Sequence, residues 1–192
     1  MKKDMAAFFD ALAQGWDNSP GEYDKREKLV SMMGLPTGSV IADIGCGRGV
    51  MFEHLLKTGP AKVIAIDLSG EMIRLARESF DDERIEYLHG DFLDAALPML
   101  DAAVIFNSYP HFIDKEALAV RLGQAVRKNG IVMIAHSQGR AVINGRHKGG
   151  ASKLSVPLES AADEGGKFEE FFAVDILVDD EDIYFVKMRR KD

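Results

Sequence analysis

Hydrophobic positions along this 192-residue chain change their period several times, and each change marks an element. Met5, Phe8, Phe9, Leu12, Ala13 and Trp16 recur at i, i+3, i+4 and i+7, the stripe of an amphipathic helix, and "DNSPG" ends it. "EYDKREKLVSMMG" predicts a second helix, stopped by Gly34 and Pro36. The pattern then becomes short apolar runs separated by helical stretches. "SVIADIG", "AKVIAIDLS", "RIEYLHGD", "LDAAVIFNSY" and "IVMIAHS" read as strands. "VMFEHLLKTG", "SGEMIRLARESF" with Ser69 as N-cap, and "KEALAVRLGQAVRKNG" ending at Gly130 read as the helices between them. "FFAVDILVDDEDIYFVKMRRK" predicts two strands joined by an acidic turn.

Strands that are apolar throughout and alternate with helices imply a parallel sheet covered on both faces. The expected fold is therefore α/β: a Rossmann-like, doubly wound, mostly parallel sheet with a C-terminal antiparallel hairpin, its last strand at or near one edge. Ligands of such sheets bind beyond the carboxyl ends of the strands. The informative segments are then "DIGCGRG", "DLS", "GDF", "NSYPHF" and "HSQGR".

Composition narrows the function classes. A net charge of −7 argues against a general grip on nucleic acid, which needs a positive field over many phosphates. Cys46 is the single cysteine, so neither an intrachain disulfide nor a cysteine-based zinc site can form. Asp10 and Gln14 interrupt the N-terminal apolar stretch, which therefore reads as neither a signal sequence nor a membrane span. The expectation is one cytoplasmic domain over 1–192 without a metal, as monomer or homodimer.

Gly45, Gly47 and Gly49 follow a predicted strand and open a helix, so backbone there can approach a ligand closely. Asp67, ending the next strand, can accept both hydroxyls of a ribose, which serves NAD and other adenosine cofactors alike. Two details separate these. Val50 stands where the dinucleotide fingerprint wants Gly or Ala. Asp43 stands beside the loop, where a carboxylate suits a cationic ligand and repels a pyrophosphate.

From about Ser39 through the terminal hairpin, the chain resembles the class I S-adenosylmethionine-dependent methyltransferases. "ADIGCGRG", "VIAIDLSGEMI", "HGDF" and "AAVIFNSYPHF" are similar to that family's first four motifs. The resemblance implies that Gly45, Cys46 and Gly47 line the methionine part and ribose of the cofactor, with Asp43 bearing on its amino group and Asp67 on the ribose hydroxyls. It also implies that Leu68 and Met72 pack on adenine, that Asp91 and the Phe92 backbone bond its edge, and that Asn107 lies near the methionine end. Met72 also keeps helical spacing with Leu75 and Ala76, which suits plain core packing. Residues 1–37 then form a helical lid over a 38–192 core, with Trp16 and Tyr23 its best acceptor contacts; the same helices suit a dimer contact.

Methyl transfer from a sulfonium is an in-line displacement needing alignment and water exclusion, and a base only where the nucleophile must lose a proton. His111 and Tyr109, in "NSYPHF", are the catalytic candidates; His111 could equally steady the loop ahead of Asp114. "NSYPHF" lacks the N/D-P-P-Y/F signature of amide- and base-directed methyltransferases, and the chain carries no large insertion. A small-molecule acceptor is therefore expected, with S-adenosylhomocysteine as the other product. RNA or protein methylation, or non-catalytic cofactor binding, are the alternatives. In "AHSQGRAVINGRH", His136, Arg140, Asn144 and His147 fall within about 80° of one helical face. They either line an acceptor pocket, with Arg140 selecting an acidic acceptor, or tie a loop to the sheet.

Overall fold

A computed structural model describes residues 2–16, 20–146 and 154–192. Seven strands form one sheet: β1 (Val40–Ile44), β2 (Lys62–Asp67), β3 (Ile85–His89), β4 (Leu100–Phe106), β5 (Val126–His136), β6 (Phe172–Asp179) and β7 (Tyr184–Arg190). Their order is β3-β2-β1-β4-β5-β7-β6. Neighbours from β3 through β5 pair in parallel, whereas β7 runs antiparallel to both β5 and β6. The last strand thus lies one place in from the edge, as the hairpin predicts.

Alternation within the central strands feeds both faces. Ile41, Val63, Val104 and Met133 join the core under α2 (Tyr23–Met33), α3 (Phe52–Lys57) and α4 (Gly70–Ser79). Ala42, Ile64, Ala103 and Val132 join the core under α5 (Lys115–Ala125). Each buried Val, Leu or Ile contributes about 1.5–3 kcal/mol, so two-faced burial fixes the sheet and leaves its strand ends to carry chemistry. Ser69 caps α4, its hydroxyl accepting from Met72 N as the sequence predicts, and Asp114 caps α5 through Ala117 N.

One local expectation is corrected, and two features go beyond the sequence reading. The fifth helix stops at Ala125 rather than Gly130, and Val126 begins β5 opposite Leu100. Val126 is buried there, Asn129 turns the chain at φ 63°, and a side chain on Gly130 would meet Val126 and two backbone carbonyls. Strand pairing overrides the helical period. A further helix, α7 (Ala161–Gly166), had no strong apolar stripe to announce it; α6 (Arg140–Arg146) precedes it. Finally, α1 (Lys2–Leu12) and the single 3₁₀ turn after it bury little of their apolar stripe. Met5 and Ala13 are buried, Phe8 and Phe9 half-buried, and Leu12 and Trp16 stay 40% and 39% exposed.

Candidate functional site

The glycine loop after β1 is built by close approach. Gly45 has φ 71°, its N–H donates to Ile66 O at 2.8 Å, and a Cβ on it would lie 2.7 Å from Ser108. Gly47 has φ 54°, and its Cβ position faces open space. Its N–H donates to Asp67 Oδ2 at 2.8 Å, while Ser69 N–H donates to Oδ1 at 2.8 Å. Asp67 is thereby aimed across the mouth of the loop. Burial raises its carboxyl above the usual range, and those two N–H bonds oppose the rise. Cys46 lies buried under the loop, and burial pushes its thiol upward, which removes it as a nucleophile.

Asp43 is the unusual group. It stands one residue before the end of β1, almost fully buried, and its Oδ2 has no hydrogen-bond partner among the described residues. Burial and then the neighbouring Asp67 push its carboxyl up to about 7. A buried carboxylate without a partner is costly unless a cation arrives. Two carboxylates at adjacent strand ends, beside a glycine with open space at its Cβ, fit a ligand carrying an ammonium or sulfonium together with a diol.

The predicted adenine side gathers at the ends of β2 and β3. Leu68 is half-buried. Met72 is buried against Ala13 and Leu75, where packing under the N-terminal segment accounts for it. Phe92 is buried in the core, with the Arg121 guanidinium 5.4 Å over its ring. Asp91 bonds Leu93 N through Oδ1 at 2.9 Å. Asn107, at φ 53°, is committed elsewhere: its side-chain amide both donates to Ser137 Oγ at 3.2 Å and accepts from Ser137 N at 3.1 Å. It bridges β4 to β5.

The N-terminal segment roofs these strand ends. Lys2 reaches Asp91 at 2.6 Å, and Asp10 accepts from Ser69 Oγ at 2.5 Å and Glu71 N at 3.1 Å. The Phe9 ring meets His111 edge-on at 4.9 Å, and Arg48 Nη1 donates to Trp16 O at 3.0 Å. Trp16 itself packs edge-on to Phe9 at 5.8 Å. Lys2, Asp10 and Arg48 were missed in the sequence. Asp10 was legible only as a break in an apolar stripe, and Arg48 as a charge within a glycine loop.

His111 stands on a 3₁₀ turn (Tyr109–His111), with Nδ1 2.9 Å from Leu154 O. A carbonyl oxygen only accepts, so Nδ1 carries the proton and Nε2 is the basic nitrogen of the neutral ring. Tyr109 is different. Its ring is fully buried and its hydroxyl donates to buried Glu164 at 2.7 Å. Burial and that carboxylate push the phenol far upward, so Tyr109 is a buttress of the loop and not an acid or base at the mouth.

Arg140 and Asn144, two of the predicted acceptor residues, have partners within the fold. Arg140 pairs with Asp179 at 3.1 Å, and Asn144 brackets Leu158, donating to its carbonyl at 3.0 Å and accepting from its N–H at 2.8 Å. His136 is buried with its ring 5.9 Å from Tyr184. His147 lies outside the described residues. Arg140 and Asn144 thus hold α6 to Asp179 at the end of β6 and to the Leu158 backbone. Tyr23 also turns away: its hydroxyl donates to Glu53 at 2.6 Å and its ring lies 4.4 Å from His54, both on α3.

Comparison with known proteins follows the same lines. A family described as a methyltransferase domain matches residues 41–130. An uncharacterized methyltransferase of Mycobacterium tuberculosis is 32% identical over 125 residues, 64% of this chain and 61% of that protein, so the chain spans about six tenths of the length of this relative. Among solved structures, an S-adenosylmethionine-dependent methyltransferase from Aquifex aeolicus has a TM-score of 0.75 at 20% identity, covering 96% of this chain and 98% of its own. The N-methyltransferase NodS from Bradyrhizobium japonicum, in complex with S-adenosylhomocysteine, has a TM-score of 0.70 at 16% identity, covering 92% and 90%. These structures share the fold. The chain thus carries a methyltransferase-domain match over residues 41–130, on a seven-stranded sheet of the fold that these S-adenosylmethionine-dependent methyltransferase structures share.

Proposed function

We propose that this chain is an enzyme that binds S-adenosylmethionine and transfers its methyl group to a small-molecule acceptor. The observation that carries the cofactor reading is Asp43: a buried carboxylate oxygen without a hydrogen-bond partner among the described residues, beside the half-buried carboxylate of Asp67 and the loop of Gly45 to Gly49. S-adenosylmethionine supplies a methyl group already activated on a sulfonium. Asp43 faces the positive end, Asp67 takes the ribose diol with its remaining lone pairs, and Asp91 takes the adenine edge.

The chain's own task is then alignment and exclusion of water. The N-terminal helix covers the strand ends, with Phe9 and Trp16 supplying its apolar underside. This roof supports a small acceptor, and the net charge of −7 gives no support to a polyanionic one. His111 is the base where the acceptor must lose a proton. Leu154 O fixes its tautomer from one side and the Phe9 edge restrains its ring from the other.

Isothermal titration with S-adenosylhomocysteine and with NAD, followed by assay of S-adenosylhomocysteine release from separated small-molecule, RNA and protein fractions, tests this reading. Binding of the first ligand and turnover with the small-molecule fraction are expected. NAD binding in its place overturns the cofactor assignment. Turnover confined to RNA or protein overturns the acceptor class, and binding without any turnover reduces the chain to a cofactor-binding module.

A further inference from the structure

The roof is held by polar latches more than by a core. Along α1, Met5 is the buried apolar residue, while Lys2 and Asp10 reach the ends of β3 and the start of α4. At the adenine side the latch falls on a particular atom. Asp91 Oδ1 accepts from Leu93 N–H, Oδ2 takes no backbone N–H among the described residues and is the freer oxygen for an adenine amino group, and Lys2 Nζ lies 2.6 Å from that same Oδ2. The Asp91 side chain is only 12% exposed, with the ammonium at its open side. Asp94, 76% exposed, lies 2.9 Å from the same ammonium and offers it a second seat.

We infer that α1 is an autoinhibitory lid in which Lys2 and the adenine amino group compete for Asp91 Oδ2, with Asp94 receiving the displaced ammonium. The inference rests on the reading that Asp91 meets adenine. The lid is displaceable because its latch is half-exposed and its packing shallow, the features of segments that open at low free energy. At Asp91, cofactor entry then displaces the Lys2 ammonium, and the same ion pair re-forms when the site empties.

Titration of S-adenosylhomocysteine into the full chain and into Lys2→Met and Lys2→Arg variants tests this, at low and at physiological salt. Lys2→Met should bind the probe roughly threefold to fivefold tighter at low salt, the scale of one exposed ion pair. Lys2→Arg, which keeps the charge, should match the unsubstituted chain. Added salt, which screens the pair, should narrow the gap between Lys2→Met and the unsubstituted chain. Equal or weaker binding by Lys2→Met overturns the competition. Absence of binding in all three chains overturns the cofactor reading beneath it, a result distinct from the former.

Discussion

The two ends of the strand-terminal surface treat their polar atoms in opposite ways. At β1 and β2, Asp43 keeps a buried oxygen without a partner among the described residues, and Asp67 is held by two backbone N–H groups that aim it without exhausting it. At β5 and α6, Arg140 is paired with Asp179, and Asn144 is closed on both sides by Leu158. Both regions looked equally polar as strings of residues. The difference teaches that polarity at a strand end marks a binding site only where the fold leaves hydrogen-bonding capacity unmet. Buried polar atoms are ordinarily satisfied, so an exception beside a glycine loop at the strand ends points to a ligand.

The sharpest break of this comparison is Asp43→Asn. A hydrogen bond to a charged group contributes about 1.5–3 kcal/mol, so cofactor affinity measured by titration should fall roughly tenfold to a hundredfold. Thermal stability should hold or rise, because a partnerless buried carboxyl is removed. A stability loss with unchanged affinity would make Asp43 a structural residue.

Next in size is a pH effect at the same group. Asp43 titrates at about 7 in the folded chain, well above the unfolded carboxyl value, and a cationic ligand needs it ionised. Affinity for S-adenosylmethionine should therefore weaken as pH drops below 7, approaching tenfold per unit, and this slope should flatten in Asp43→Asn. The stability contribution has the opposite direction. A raised folded pKa favours the native state where the carboxyl is protonated, and Asp43's contribution declines as pH rises from about 4 to 7. Denaturant midpoints of the two chains across that window should therefore diverge in favour of Asp43→Asn toward pH 7.

The other region should respond in stability alone. Asn144→Ala removes two hydrogen bonds and should cost about 2 kcal/mol, lowering Tm by roughly 4–8 °C with the Kd for S-adenosylhomocysteine unchanged. The smallest effect is expected for Arg140→Ala, whose half-exposed ion pair is worth about 1 kcal/mol or less. Once an acceptor is in hand, its KM should not move with this variant. A raised KM would return Arg140 to the acceptor pocket and dissolve the contrast between the two regions.

Much of this molecule was legible along the chain. Apolar strands alternating with helices fixed a two-faced parallel sheet, because a strand buried on both faces must be apolar throughout. The glycine loop was legible because close approach and positive φ restrict the residue type, as at Gly45 and Gly47. The placement of Asp43 and Asp67 beside that loop was legible because each closes an apolar run that predicts a strand. The helix predicted through Gly130 failed at Val126, where pairing with Leu100 outweighed a local period that the segment also satisfies.

The fate of individual polar side chains was not legible. Tyr109 and His111 are two residues apart in one loop, yet one is sealed on Glu164, 55 positions away, and the other stands between Phe9 and Leu154. Lys2 finds Asp91 across nearly half the chain. Backbone pattern follows from local chemistry and from the period at which apolar residues recur. A polar atom's role follows from which distant partner arrives within about 3 Å of it, and that is decided only when the whole sheet and its roof have closed.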